Sequence, residues 1–97
     1  MKSLAKPTRW RNRAYEDWVR QQGCVICGAP GEVHHAKGIG GMSGTSLKAP
    51  SWAAMCLCRA HHDALHQYLI DKEVQWEWIG KTLGRAIEEG VLVNGKP

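Results

Sequence analysis

The histidines and cysteines of this chain are concentrated in its central part. All five histidines lie between residues 34 and 66, and all four cysteines lie between residues 24 and 58. Imidazole and thiolate are ligands that zinc and other transition metals prefer. The clustering predicts two metal sites in one small domain, one that stabilises the fold and one that does chemistry. The residues are His34, His35, His61, His62 and His66 with Cys24, Cys27, Cys56 and Cys58.

Two short motifs predict a structural zinc site. Cys24-x-x-Cys27 has the form of a zinc knuckle, and Cys58-x-x-His61 is a second half-site with the same spacing. Together they make a Cys3His set, which is typical of a closed tetrahedral zinc. Cys56 is the alternative ligand, although the matching spacing favours Cys58. A disulfide or a redox dithiol built on the knuckle is the competing interpretation.

A second group of ligands is predicted on the helix that contains His61. His62 and His66 are four residues apart, so a helix places both imidazoles on one face, within reach of a single ion. His61 points about 100° away from them, toward the zinc. His34 and His35 then offer a third ligand and a base. Because successive strand residues face opposite sides, both can serve one cleft only where the strand ends or bulges.

Composition and charge favour a small domain that binds a polyanion. The 97 residues suffice for one domain, with no Phe and five Trp, so the core is thin and a structural metal would support it. Residues 1–62 hold nine Lys and Arg against three Asp and Glu, whereas residues 63–97 hold four against six. A basic half of this kind is typical of nucleic-acid binding. Ordinary solvated helix faces are the alternative.

The sequence predicts a cytoplasmic protein. Its first ten residues contain no apolar stretch long enough for a signal peptide, and no segment approaches the ~20 apolar residues of a membrane span. In a reducing compartment, closely spaced cysteines are thiolate ligands more often than disulfides.

Local patterns predict an α+β domain over residues 1–97, with flanking helices around a central core at 24–66. Expected in order are a basic flexible arm (1–7), a helix capped by Thr8 (8–22), a strand (32–36), a glycine-rich loop (38–46), a second strand with a helical start (52–57), a helix (59–71), and a C-terminal helix closed by Gly90 (73–90). The expected inward positions are Tyr15, Trp18, Val19 and Gln22 on the first helix, Ala60, Ala64, Leu65, Tyr68 and Leu69 on the second, and Val74, Trp78, Leu83 and Ile87 on the third.

The histidine motifs resemble those of the HNH nucleases, also called ββα-metal or His-Me finger nucleases. The resemblance covers residues 24–66 and rests on His34-His35 followed by His62-x-x-x-His66. The run from His34 through the glycine-rich loop to His66 is most similar to phage Ref-type recombination-enhancement nucleases. The resemblance implies a zinc-stapled ββα-metal fold and a metal-dependent endonuclease that cuts DNA with low sequence specificity in phage or prophage recombination. A recombinase filament is an implied partner.

Residue by residue, the resemblance implies that His35 is the general base and that His34, His62 and His66 hold one catalytic divalent ion, Mg²⁺, Mn²⁺ or Zn²⁺. It implies structural zinc on the Cys3His set. The middle Asn of the family motif has no counterpart; Ser51 stands nearest, so Ser51 or a main-chain carbonyl must position the base. Phosphate contacts are expected from Arg9, Arg11, Arg13, Lys37 and Arg59. A zinc-binding nucleic-acid adaptor that no longer cuts is the alternative function.

Overall fold

The computed structural model describes residues 10–41 and 48–92, so the predicted basic arm, Arg9 and most of the glycine-rich loop lie outside the described residues. Within them the chain is a small α+β domain, which confirms the predicted class. The helices are α1 (Arg13–Gln21), α2 (Arg59–His66) and α3 (Gln75–Glu88), and the strands are β1 (Glu32–His35) and β2 (Ala54–Leu57). Single 3₁₀ turns at Ser51–Ala53 and Lys72–Val74 precede β2 and α3. No helix in the described ranges is long and apolar enough to cross a membrane.

The two strands form an antiparallel pair at the centre of the molecule. His34 lies opposite Met55 and His35 lies opposite Ala54, so the pairing runs to the end of β1 without a bulge. Directly opposed residues share a face of the sheet, and successive residues alternate. One face therefore presents Met55 to the core around α2 and α3, and the other presents Cys56 to the core around α1.

Helix α1 begins later than predicted. Asn12, not Thr8, is its N-cap, since the Asn12 side chain accepts a hydrogen bond from the backbone N–H of Tyr15 at 2.8 Å. Asn is among the strongest N-cap residues, and its own N–H donates to Ser51 Oγ at 2.9 Å. Tyr15 and Val19 are fully buried, as their spacing predicted.

Helix α2 ends at His66, five residues before the predicted end. The N–H of Leu69 donates to the Ala64 carbonyl and the N–H of Tyr68 donates to the Leu65 carbonyl, which is a Schellman motif. Its left-handed position is occupied by Tyr68, with φ 61°, at a cost of about 1–2 kcal/mol relative to Gly. Tyr68 and Leu69 were predicted to face inward but are exposed, and so is Ala60 at the other end of the helix. These three predictions are wrong, and Leu65 alone in this helix is buried.

Helix α3 closes the domain, as predicted, and Gly90 ends it in a second Schellman motif with φ 75°. Its buried face consists of Gln75, Trp78, Ile79 and Ala86. The predicted packing position Ile87 is wrong, because that side chain lies about 100° around the axis from Ala86 and is 63% exposed. A polar residue, Gln75, heads the buried face instead.

Candidate functional site

A tight turn brings the first two cysteines together. The N–H of Cys24 donates to the Ala29 carbonyl at 2.7 Å, and the N–H of Gly28 donates to the Cys24 carbonyl at 2.8 Å. Gly23 precedes the turn with φ 83°, where an added Cβ would lie 2.6 Å from the Gly28 carbonyl oxygen. Only glycine fits there, so the sequence Gly23-Cys24 fixes where the knuckle begins.

Four potential ligands meet where this knuckle contacts the start of α2. The Sγ atoms of Cys24, Cys27 and Cys58 and Nδ1 of His61 lie within 4.8 Å of one another. Nδ1 of His61 is 3.2 Å from Cys58 Sγ and 3.5 Å from Cys24 Sγ, and the sulfurs of Cys27 and Cys58 are 3.8 Å apart. Tetrahedral zinc spaces two sulfurs by about 3.8 Å, and sulfur from nitrogen by about 3.6 Å. The predicted set therefore has the dimensions of a zinc site.

The knuckle also favours the ionised form of one of its thiols. Burial alone would raise the pKa of Cys24, but backbone N–H groups of Cys58, Cys27 and Ile26, with His61, lower it to about 6. The Ala29 N–H lowers the pKa of Cys27, but desolvation and the neighbouring thiols of Cys24 and Cys58 together outweigh it, so the pKa of Cys27 is raised. A thiolate at Cys24 is a ready metal ligand, because zinc binds the deprotonated form.

Cys56 lies apart from this set. It packs between Tyr15, Val19 and Ala86 on the α1 side of the sheet, and its Sγ is 3.8 Å from the Arg20 carbonyl oxygen. Burial raises the pKa of this thiol. Since Cys58 begins α2 whereas Cys56 belongs to β2, the choice of Cys58 as the zinc ligand agrees with the structure.

Three imidazoles converge on the other side of α2. Nitrogen atoms of His34, His62 and His66 lie within 4.8 Å of one another, and the closest pair, His34 Nδ1 and His62 Nε2, is 3.1 Å apart. The ring centroids are separated by 4.7 Å for His62 and His66, by 4.8 Å for His34 and His62, and by 5.6 Å for His34 and His66. The predicted trio is therefore assembled by one strand and one helix.

The buried amide of Gln75 determines which nitrogen of His34 carries the proton. Oε1 of Gln75 accepts a hydrogen bond from the Lys37 N–H at 3.0 Å, and its Nε2 donates to the Lys37 and Lys72 carbonyls at 2.9 Å each. The amide cannot be turned over without losing all three bonds. His34 Nε2, 3.0 Å from that oxygen, must therefore be the donor, and Nδ1 keeps a free lone pair.

His62 is oriented in a similar way. Its Nδ1 lies 3.4 Å from Glu32 Oε2, and this buried nitrogen has no well-formed hydrogen bond among the described residues. A proton on Nδ1 would face that carboxylate, which leaves the Nε2 lone pair directed at His34. Two lone pairs 3.1 Å apart repel each other, and a cation between them removes the repulsion. The arrangement fits a metal ion held by imidazole.

Burial keeps His34 neutral. Its side chain is held in the core, and desolvation lowers its pKa to about 4, with the neighbouring imidazoles acting in the same direction and the Gln75 bond against it. A neutral imidazole is the form that binds a metal. At physiological pH, His34 therefore does not have to lose a proton before it can bind a metal.

His35 faces the opposite side of the sheet from His34. Its Nε2 lies 3.1 Å from Oε2 of Glu16 on α1, and the same carboxylate accepts a short hydrogen bond from Ser51 Oγ. Although partial burial would raise the pKa of Glu16, the bonds from Ser51 and His35 and the charge of Lys48 hold it below its usual range. An ionised Glu16 favours the proton on His35 Nε2, which leaves Nδ1 as an acceptor.

A basic cleft opens beside the histidine trio. It has a volume of about 290 Å³, and its walls include His34, His66, Lys37, Lys72 and Tyr68. His66, both lysines and Tyr68 are exposed, whereas His34 forms the buried end of the cleft. The trio is thus reached from solvent through a positively charged entrance.

A family model matches residues 2–90 of this sequence, and its description is "Protein of unknown function (DUF968)". The chain belongs to the DUF968 family. The matched residues include both Cys/His clusters and helices α1, α2 and α3.

A curated relative extends the comparison to a larger protein. The uncharacterized protein YdfU of Escherichia coli strain K12 is 37% identical over an alignment of 94 positions, which covers 92% of this chain and 27% of that relative. The DUF968 chain therefore spans about a quarter of the length of YdfU. No solved structure matches the sequence.

The basic residues expected to contact phosphate have different surroundings in this DUF968 chain. Arg11 uses its guanidinium to bind the Ala49 and Lys48 carbonyls, and Arg59 forms ion pairs with Glu32 at 3.1 Å and Asp63 at 3.6 Å. Arg13 and Lys37 are exposed, and Lys37 lines the cleft. Arg9 lies outside the described residues.

Sequence reasoning missed four residues that support the site. Gln75 binds His34, Glu16 binds His35, Glu32 lies beside His62, and Lys72 joins Lys37 at the cleft. Ser51, expected to position His35, contacts Glu16 instead and so acts through it. A glutamine at the start of an otherwise apolar helix face was the one available signal, because a polar side chain on a buried face must find partners.

Proposed function

We propose that this protein is a metal-dependent endonuclease of the HNH type, which hydrolyses DNA phosphodiester bonds with low sequence specificity. The observation that carries the proposal is the convergence of His34, His62 and His66 at the inner end of a basic, solvent-accessible cleft. The order strand, strand, helix around that cluster supports a ββα-metal fold. Phage or prophage DNA processing is the cellular role that we propose from the sequence resemblance.

The three imidazoles would hold the ion through His34 Nδ1, His62 Nε2 and a ring nitrogen of His66. A divalent ion bound there supplies charge neutralisation at the scissile phosphate and the leaving oxygen. Gln75 holds the His34 ring through a hydrogen bond, whereas the Glu32 carboxylate, 3.4 Å from Nδ1 of His62, favours the tautomer that has its proton on that nitrogen. Three protein ligands leave coordination positions open for substrate.

His35 would accept the proton of the attacking water at Nδ1. The Glu16 carboxylate fixes the tautomer and stabilises the cation that forms when His35 takes up that proton. Since His34 and His35 are consecutive, their Cα atoms are about 3.8 Å apart, and a phosphodiester that crosses the end of β1 meets both faces of the strand. The proposed mechanism therefore requires the scissile phosphate to lie across the end of β1, within reach of both His35 Nδ1 and the ion.

Low sequence specificity follows from the chemistry of the cleft. Its exposed cations, Lys37 and Lys72, suit phosphate oxygens, and contacts with phosphate fix position without reading sequence. Neither α2 nor α3 is free to enter a groove along its whole length, because each packs on the sheet.

The test is cleavage of supercoiled plasmid and of single-stranded DNA with added Mg²⁺, Mn²⁺ or Zn²⁺. We expect His66→Ala and His35→Ala to lose about 10²-fold or more in rate, since each removes a group needed in the transition state. Gln67→Ala, an exposed neighbour on α2, is the matched control and should cut at the wild-type rate. If His35→Ala and wild type cut at equal rates, the assignment is wrong.

Metal stoichiometry separates this function from the adaptor alternative. An endonuclease should bind one tightly held zinc and a second, exchangeable ion, which is lost in the double variant His62→Ala with His66→Ala. An adaptor should bind one zinc per chain and bind DNA equally well with or without those two histidines. Elemental analysis before and after soaking in metal gives the result directly.

A further inference from the structure

Tyr68 occupies a position at which a tyrosine side chain does not stabilise the fold. It occupies the left-handed position after α2 with φ 61°, the sole non-glycine residue with positive φ among the described residues, and its side chain is 87% exposed. The equivalent position after α3 is Gly90, in the same pattern of hydrogen bonds. A bulky side chain there costs conformational energy and gains no burial in return.

The side chain of Tyr68 borders the cleft of the histidine trio. The same cleft is lined by His34, His66, Lys37 and Lys72, so an exposed aromatic ring stands beside potential metal ligands and two cations. An aromatic ring next to positive charge is the combination by which proteins hold single strands, since bases stack on the ring while cations bind the backbone. At about 290 Å³, the cleft is small for a ligand pocket and suits a single nucleotide.

We propose that Tyr68 is a stacking platform for one unpaired nucleobase, and that the substrate of the trio is therefore single-stranded DNA. The inference rests on the proposed endonuclease function and specifies its substrate. In a duplex both faces of a base are covered by its neighbours, so a base must be unpaired or flipped out to stack on a protein ring. Lys37 and Lys72 then hold the phosphates on either side of the stacked nucleotide, and one of these phosphates is presented to the trio.

Leu69 is a natural control for this role. It follows Tyr68 directly, is 74% exposed, and does not line the cleft. A general loss of apolar surface at the end of α2 would affect both positions, whereas stacking requires the ring at position 68 alone.

The experiment measures binding of a fluorescent ten-nucleotide oligothymidylate, and of a duplex of equal length. All variants also carry His35→Ala, which slows cleavage by about 10²-fold or more. We expect Tyr68→Gly to weaken single-strand binding by about five- to a hundredfold, which is the contribution of one base stacked on an aromatic ring. Duplex binding should stay within twofold of the parent. Tyr68→Phe and Leu69→Ala should bind the single strand within twofold of the parent. Because glycine relieves the strained φ, Tyr68→Gly should melt at the same or a higher temperature.

The outcomes distinguish this inference from the proposed function. Equal loss of single-strand and duplex binding in Tyr68→Gly, or no loss of either, overturns the stacking role, while plasmid cleavage by wild type would still support the endonuclease. If Tyr68→Gly selectively loses the single strand but wild type cuts no DNA with any of the three metals, the stacking site stands and the hydrolytic function fails.

Discussion

The Cys3His set and the histidine trio share helix α2 but differ in what completes them. The first has four potential ligands at spacings that fit tetrahedral zinc, supplied by the knuckle and the start of the helix. The second has three, and its remaining side faces a basic cleft. A full set of protein ligands is what a structural ion requires, and an incomplete set with access from solvent is what a reacting ion requires. Adjacent residues His61 and His62 belong to different sites because a helix turns about 100° between them.

Removing a zinc ligand should have the largest effect. We expect Cys58→Ala to abolish cooperative folding, because structural zinc supplies on the order of 10–16 kcal/mol of apparent folding free energy to small domains. The measurements are zinc content and thermal unfolding by circular dichroism.

Cys56→Ala is the matched control for that experiment. This buried thiol lies outside the Cys3His set, so its loss should cost about 1 kcal/mol and leave zinc content unchanged. Equal effects of the two substitutions would contradict the division between structural and packing cysteines.

A chelator should remove metal from the two sites in two separate steps, first from the histidine trio and then from the Cys3His set. A closed site releases its ion more slowly and at higher chelator concentration than an open one, so EDTA should abolish DNA cleavage while the helical circular dichroism signal persists. Higher EDTA should then unfold the protein. Loss of cleavage and of helical signal at one concentration would show that a single ion serves both purposes.

Gln75→Leu should affect the open site and the fold together. The substitution leaves His34 Nε2, the Lys37 N–H and two carbonyls without their partner, at a cost of about 3 kcal/mol or more in the free energy of unfolding. Affinity for the exchangeable ion should fall about 10- to 100-fold, as when other outer partners of metal ligands are removed. Urea unfolding and metal titration measure the two effects.

Gln67→Leu serves as the control for Gln75→Leu. Gln67 is exposed at the end of α2, and its replacement should change the free energy of unfolding by less than about 0.5 kcal/mol. Ion affinity should stay at the wild-type value; a comparable drop in both variants would mean that Gln75 does not act through His34.

Glu16→Gln should lower turnover and cost a little stability, because the lowered pKa of Glu16 means that its charge favours the folded state. The amide can still accept from His35 Nε2, but it lacks the charge that stabilises protonated His35, so we expect kcat to fall about tenfold with KM little changed. His35→Ala should fall further. If KM rises while kcat stays constant, Glu16 contributes to substrate binding and does not position the base.

Tyr15→Phe should have the smallest effect and provides a reference outside both sites. The Tyr15 hydroxyl is buried without a hydrogen-bond partner among the described residues, so its removal should leave stability equal or raise it by about 1 kcal/mol. Burial raises the pKa of Tyr15 to about 12. A raised folded-state pKa means that wild type loses stability as pH rises from about 10 toward 12, and Tyr15→Phe should lose less. Urea unfolding at pH 8 and at pH 11 tests this.

Much of the metal chemistry was predictable because it depends on short sequence spacings. Cys24-x-x-Cys27 and His62-x-x-x-His66 each specify their geometry within one turn of chain, and the structure brings both groups together as expected. The partners of the ligands were not predictable. Gln75 lies 41 residues from His34, and Glu16 lies 19 residues from His35, so only the packing of α3 and α1 on the sheet brings them into contact.

The errors in the fold arise at helix ends. The apolar residues Tyr68 and Leu69 fit the helical period of α2, so the sequence predicted that the helix continues through them. The helix instead ends at the cap Gln67, and Tyr68 adopts the left-handed conformation. Glycine is usual at that position, so the sequence contains no signal for this helix end. At the start of α1 the sequence pattern predicted Thr8 as the cap, whereas the cap is Asn12, which lies nearer to the apolar stripe.

The short length of α2 has a consequence for how activity depends on metal supply. Eight residues are too few for a helix that is stable by itself. The rotation of α2 about its axis is therefore set largely by the contacts of its first turn. In that turn His61 belongs to the Cys3His set. In a newly made chain that has not bound zinc, the side chains of His62 and His66 would have no fixed orientation. For the proposed endonuclease, zinc starvation of the cell would then abolish DNA cleavage even when magnesium or manganese is abundant.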